Sequence, residues 1–143
     1  LDQFDIEKSV GFLIAKVYQR LFSCFRARLE PYGITPPQFA LLAFLWKQDG
    51  LSQVELSEKT EVDRTTLSGL IDRLQKLDLV ERRRHPADRR VWLVHLTPAG
   101  RQLQEKLVPI TLQVREQFTV NLEGDEYRQL CELLEKLRGA CHE

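Results

Sequence analysis

The 143-residue sequence contains no apolar run long enough to cross a membrane and no charged-then-apolar leader with a cleavage site, so a soluble, cytoplasmic protein is expected. It has no net charge either: Lys plus Arg and Asp plus Glu stand at 21 each. The molecule as a whole therefore carries no field steering it to nucleic acid or membrane, and any basic surface must be local. Its three cysteines, Cys24, Cys131 and Cys141, are odd in number and form no CxxC pair, so reduced thiols are expected rather than a disulfide framework. The histidines His85, His95 and His142 are too scattered to share metal-ligand spacing with them, and neither metal nor cofactor is expected. The sequence lacks a phosphate-cradling glycine loop, a nucleophile motif and a recognisable acid–base pair, which argues against an enzyme. It also lacks internal repeats and low-complexity linkers, and its length suits one domain.

What is present is helical periodicity, interrupted once. Val10, Leu13, Ile14, Val17, Leu21, Cys24, Phe25 and Leu29 recur at spacings of three and four, predicting a long first helix that stops at Glu30-Pro31-Tyr32-Gly33. Thr35 caps a second helix, opened by two prolines and apolar on nearly all sides, which should be central. Ser52 and Glu55 stand in capping-box spacing at the start of a short helix ending near Thr60. Asp63 caps a fourth, with Leu67, Leu70, Ile71, Leu74 and Leu77 on one face. Val80 to Arg84 and Val91 to Leu96 read as two strands of a hairpin with Pro86 and Asp88 at its tip. Thr97-Pro98 then opens a helix whose spacing continues through Pro109, where a kink is expected. Tyr127, Leu130, Cys131, Leu134, Leu137 and Cys141 form the apolar face of a last helix.

The interruption carries the charge. The stretch "ERRRHPADRRVWLVHLT" packs five arginines into nine residues. An arginine run is by itself an ordinary solvated surface, but this one follows two short helices, and helix–turn–helix plus basic hairpin is a winged helix-turn-helix. In that arrangement Leu56, Val62, Leu67, Leu70 and Ile71 lock the helix pair together. Arg64, Thr65, Thr66, Ser68, Gly69 and Arg73 are left facing outward, where small hydroxyl residues allow close approach and arginine can bond guanine bidentately. Arg82, Arg83, Arg84, Arg89 and Arg90 would neutralise phosphates or enter a narrow minor groove, Arg82 and Arg83 touching phosphate. Asp88 pairs with Arg90, besides favouring a turn. Trp46 and Trp92 read as packing residues rather than base-stacking platforms.

From Leu51 to Gly100, "LSQVELSEKTEVDRTTLSGLIDRLQKLDLVERRRHPADRRVWLVHLTPAG" resembles the central signature of the MarR family of transcriptional regulators, above all in "DRR" followed by "LTPAG". The flanking helices are similar too. The resemblance implies a mainly α fold with a small β-hairpin wing, in which residues 34–97 form the DNA-binding lobe and residues 1–33 and 98–143 the dimerisation helices. It implies a homodimer on a pseudo-palindromic operator in double-stranded DNA, usually as a repressor. Arg64, Thr65, Thr66 and Ser68 then fall in the recognition helix, and Asp88 and Arg90 at the wing tip. Glu61 departs from the pattern, standing where the interhelical turn often has glycine; a positive φ there would cost roughly 1 kcal/mol.

The apolar faces of the first and last two helices exceed what one small winged domain can cover, which independently favours a twofold dimer over a monomer with these helices folded back on its core. The resemblance also implies release of DNA by a small aromatic or anionic effector bound between the dimerisation helices and the lobe. Lys16 and Arg20 would meet its carboxylate, and Phe12, Phe39 and Ala43 would form an apolar wall. A branch of the family senses peroxides through a cysteine near the start of the first helix, but Gly11 occupies that position and Cys24 lies more than three turns later. Redox sensing through Cys24 and a winged-helix dimer working through protein contacts remain the alternatives.

Overall fold

The computed structural model describes residues 3–140, so Cys141 and His142 lie outside the described residues. Helix α1, Val10–Leu29, begins where the Ser9 side chain accepts from the Phe12 amide at 3.3 Å. A 3-10 turn over Ile6–Lys8 precedes it, a feature with no periodicity to announce it. A second such turn, Glu30–Tyr32, ends at Gly33 with φ 70°, the left-handed exit for which glycine carries no Cβ penalty. Helix α2, Pro36–Lys47, is held at its start by the reciprocal hydrogen bonds of Thr35 and Gln38. Leu41, Leu42 and Leu45 are fully buried, and α2 is central as expected, touching α1 and the elements of the lobe.

A three-stranded antiparallel sheet has the order β1-β3-β2, with β1 at Leu51–Ser52, β2 at Val80–Arg84 and β3 at Trp92–Leu96. The hairpin register runs from Val80 opposite Leu96 to Arg84 opposite Trp92. Strand β1, pairing Leu51 with Val94, is too short for any alternation to show in the sequence. It is set by Asp49, whose Oδ1 accepts from the Leu96 amide at 2.8 Å and whose Oδ2 pairs with Arg101 at 2.7 Å.

Helix α5, Pro98–Phe118, runs as one element through Pro109. Its start is clamped to the sheet: the Thr97 hydroxyl accepts from the Gly100 amide and donates to the Asp78 carbonyl at 2.7 Å, while Trp46 Nε1 donates to the Gly100 carbonyl at 2.8 Å. Trp46 is thus a packing residue with its polar atom satisfied. A Cβ on Gly100 would lie 2.1 Å from the Leu79 carbonyl oxygen, so only glycine fits between helix and backbone. Gly100→Ala is accordingly expected to destabilise the protein by about 3 kcal/mol, at the upper end for overpacking because backbone must yield. Urea unfolding at fixed protein concentration would show it, and an unchanged midpoint would contradict the clamp.

Helix α6, Glu126–Gly139, is amphipathic, yet every one of its residues is exposed. Leu130, Leu133, Leu134 and Leu137 are as uncovered as Val10, Leu13, Ile14 and Val17 of α1, with Val10 63% and Leu137 51% exposed. Between α1, α5 and α6 lies a gap of about 400 Å³, lined mainly by apolar side chains including Val17, Leu21, Phe25, Leu130 and Leu134. No helix of the described residues is long and apolar enough to cross a membrane.

Candidate nucleic-acid interface

Helices α3, Gln53–Thr60, and α4, Arg64–Lys76, start at the two caps expected. Ser52 and Glu55 form the reciprocal box, and Asp63 accepts from the Thr66 amide at 2.9 Å. Leu56, Leu67, Leu70, Ile71 and Leu74 are buried and Val62 packs against them, so the angle between the helices is set by core packing. Glu61 in the intervening turn takes φ 57°, the left-handed conformation its position implied. The turn is tied by side chains: Ser57 Oγ donates to the Val62 carbonyl and Thr60 Oγ1 to the Leu56 carbonyl, both at 2.6 Å.

That packing leaves Arg64, Thr65, Thr66 and Arg73 exposed and Ser68 and Gly69 half-buried. Thr66 is only partly free, since its hydroxyl donates to Asp63 Oδ2 at 2.9 Å. The Thr66 amide and then its hydroxyl hold the Asp63 carboxyl below its ordinary value, so the cap stays ionised and is lost only as pH falls through that lowered value.

The wing arginines have five different environments. Arg82 is the least exposed, its side chain 16% accessible, and its guanidinium faces Gln53, Ser68, Asp72 and Gln75. Arg83 pairs with Glu81 on the same strand face. Arg84 lies over the Trp92 ring at 3.8 Å and donates to the Arg89 carbonyl at 2.6 Å, bracing the hairpin. Trp92 is therefore a platform for Arg84, in keeping with a packing role. Arg89 is exposed at the tip. Arg90 is 90% exposed, yet its orientation is determined: Nε and Nη2 reach the two oxygens of Asp88 at 3.1 and 3.2 Å, and Asp88 Oδ1 also accepts from the Arg90 amide at 3.1 Å. The Arg90 side chain, and then its amide, hold the Asp88 carboxyl below its ordinary value, so the pair persists at neutral pH and is lost only well into acid. His85 Nδ1 accepts from the Ala87 and Asp88 amides at 3.0 and 3.2 Å and so shapes the tip that presents this pair.

Arg64 from the start of α4 and Arg90 from the wing line one cleft of about 180 Å³, floored by Val54, Leu67, Val91 and Trp92. Two cations from elements 26 residues apart are thus brought to one surface. Residues 32–91, which hold both, match the model of the MarR family. Similarity extends beyond that segment: the HTH-type transcriptional repressor NicR of Pseudomonas putida is 33% identical over 134 residues, covering 94% of this chain and 85% of NicR.

The chain belongs to the MarR family.

Two solved structures of MarR-family relatives superpose closely. A mutant MarR from E. coli in complex with operator DNA has a TM-score of 0.86 and 32% identity, covering 96% of this chain and 99% of that one. Bordetella bronchiseptica BpsR, solved to explain regulation of its DNA binding by 6-hydroxynicotinic acid, has a TM-score of 0.89 and 34% identity, covering 96% and 98%. The protein is thus a MarR-family transcriptional regulator with the winged-helix fold.

Two groups of expected site residues have notable surroundings in this MarR-family chain. Arg82, grouped with the phosphate-touching arginines, has all three guanidinium nitrogens engaged within the protein. Of the five residues expected to hold an effector, Phe12, Lys16 and Arg20 lie on α1 and Phe39 and Ala43 on α2. Phe39 packs edge-on against Phe25 at 4.9 Å and Trp46 at 5.7 Å, and Ala43 is half-buried beside it on α2. Phe12 lies 13 residues before Phe25, roughly 20 Å away along α1 at 1.5 Å per residue. Lys16 lies over the Phe12 ring at 5.4 Å, and Lys16 and Arg20 are exposed. A different cavity, of about 360 Å³, sits between α2, the turn around Glu61 and the end of α6. Its walls include Pro37, Ala40, Leu41, Phe44, Val62 and Leu70, with Lys59, Glu61 and Arg138 also lining it, and Arg138 Nε lies 3.5 Å from Glu61. No reading of the sequence brought Arg138 near Glu61, because they are 77 residues apart in chain and share no motif.

Proposed function

We propose that the protein represses transcription as a homodimer bound to a pseudo-palindromic operator, with α4 in the major groove and the wing on adjacent backbone or minor groove. The observation that carries this reading is the convergence of Arg64 and Arg90 on one exposed cleft, with Arg90 already extended by Asp88. Exposed Thr65 and Thr66 at the helix start permit close approach to bases, and Arg64 offers bidentate guanine recognition. Ser68, Arg73, Arg83 and Arg84 extend the surface on either side, and Arg89 stands free to meet phosphate. The uncovered faces of α1, α5 and α6 suit a second copy. Selection of bound duplexes from a random pool should recover inverted half-sites with centres about 10 base pairs, or a multiple, apart. Recovery of single, unrepeated sites would contradict the dimeric reading.

The cavity of about 360 Å³ supports release by a small aromatic anion: it combines apolar walls with Lys59 and Arg138, two cations against the single Glu61 carboxylate that Arg138 faces, and has the interhelical turn on one side and a dimerisation helix on the other. Since BpsR is regulated by 6-hydroxynicotinic acid, that compound and related aromatic carboxylates are the probes to use. One of them should displace the selected duplex, and K59A combined with R138A should weaken that displacement about tenfold or more. Displacement unaffected by the double substitution but lost in K16A or R20A would move the effector to α1.

A further inference from the structure

We infer that Arg82 is a positioning residue that makes the recognition helix and the wing a single rigid body, an inference that rests on the DNA-binding reading above. A guanidinium has five N–H donors on three nitrogens, and in Arg82 all three nitrogens donate, making five hydrogen bonds between them. Nε donates to Gln53 Oε1 at 2.7 Å, Nη1 to Asp72 Oδ1 at 2.7 Å and Gln75 Oε1 at 2.6 Å, and Nη2 to the Ser68 carbonyl and Oγ at 3.1 and 3.2 Å. The acceptors come from two helices, Gln53 from α3 and the other three from α4, and the donor from the base of the wing.

The placement of these acceptors gives the network its consequence. Ser68, Asp72 and Gln75 follow one another along one face of α4, and Arg64 lies one turn before Ser68 on that face. On the other side Arg82 and Arg84 are two apart on β2 and share a strand face, and Arg84 is bonded to the Arg89 carbonyl beside the Asp88–Arg90 pair. Hydrogen bonds therefore tie the base of the wing to the helix face that carries Arg64, and the strand continues from there to Arg84, whose own bond braces the tip carrying Arg90. A largely buried guanidinium with a single carboxylate partner contributes little net stability, and an apolar side chain would pack as well. Five bonds joining the wing strand to two helices instead fix orientation, the quantity that two groups reading one duplex must share.

Lysine keeps the charge but has three donors on a point-like ammonium, which cannot span these acceptors. Using the duplex selected by the wild type, R82K is expected to bind roughly tenfold more weakly or worse while the slope of log affinity against log salt stays the same, because no phosphate contact is removed. R90A should cost much less in the R82K background than alone, since a wing free of α4 no longer places Arg90. Q75A, which leaves Arg82 in place, should show a smaller loss with the same unchanged slope and serves if R82K folds poorly. Circular dichroism would confirm folded protein in each case. Wild-type affinity in R82K, a slope reduced by about one, or additive losses with R90A would each overturn the positioning role alone. Failure of the wild type to select any duplex would overturn the DNA-binding reading, and this role with it.

Discussion

Arg90→Ala is expected to remove specific DNA binding, lowering affinity for the selected duplex by about two orders of magnitude or more, while leaving the folded dimer intact. Nothing in the core depends on this side chain, which is 90% exposed and bonded only to its near neighbour Asp88. The bidentate pair holds the guanidinium extended before DNA arrives, so the rotamer entropy lost on insertion into a groove is already spent in the free protein. Asp88→Ala should therefore act in the same direction with a smaller effect, and Arg89→Ala should be the mildest of the three. Because the carboxylate works through the arginine, the double substitution should be no worse than Arg90→Ala alone. Fluorescence anisotropy with the selected duplex measures all four arms. Additive losses, or a larger effect at Arg89, would show that the tip works differently.

A comparably large loss is expected from a charge on the uncovered helix faces. Leu134 is 44% exposed, borders the gap between α1, α5 and α6, and makes no contribution to the lobe that carries Arg64 and Arg90. Leu134→Glu should convert the protein to a folded monomer at micromolar concentration, because a desolvated carboxylate facing apolar side chains has no partner. DNA affinity should fall by about 10²–10⁴, the advantage that linking two half-site contacts confers. Sedimentation velocity and anisotropy together test this. A variant that remains dimeric and binds normally would place the dimer contact elsewhere.

Much of this architecture was legible because local signals agreed. Ser52 with Glu55, Asp63, and Thr35 followed by two prolines announced three helix starts through chemistry confined to a few residues each. The Asp88–Arg90 pair was legible because the two residues are close in sequence, although the geometry expected of an extended hairpin is not what joins them: the tip is a turn closed by the Val91 amide donating to the Asp88 carbonyl at 3.0 Å. What escaped the sequence depends on separation. Arg82 looks like its neighbours Arg83 and Arg84, and only the fold brings Gln53, Ser68, Asp72 and Gln75 around it. Strand β1 is two residues held by Asp49 from outside any pattern. The five effector residues were joined by resemblance rather than geometry, and the length of α1 separates Phe12 from Phe39. Gly100 stood in a recognised motif, but its reason, the Leu79 carbonyl where a Cβ would go, exists only once α5 lies on the hairpin.

The central claim is that a locally basic helix and wing read DNA on a molecule of zero net charge. Titrating the selected duplex and a scrambled one of equal length across a salt series tests it most directly. The scrambled duplex should bind more weakly at every salt concentration, by about 10³-fold or more near physiological salt. Affinity for the selected duplex should fall linearly in log–log form, with a slope of about −0.9 for each phosphate neutralised and several such contacts per dimer. Equal affinity for the two duplexes, or binding indifferent to salt, would contradict the account.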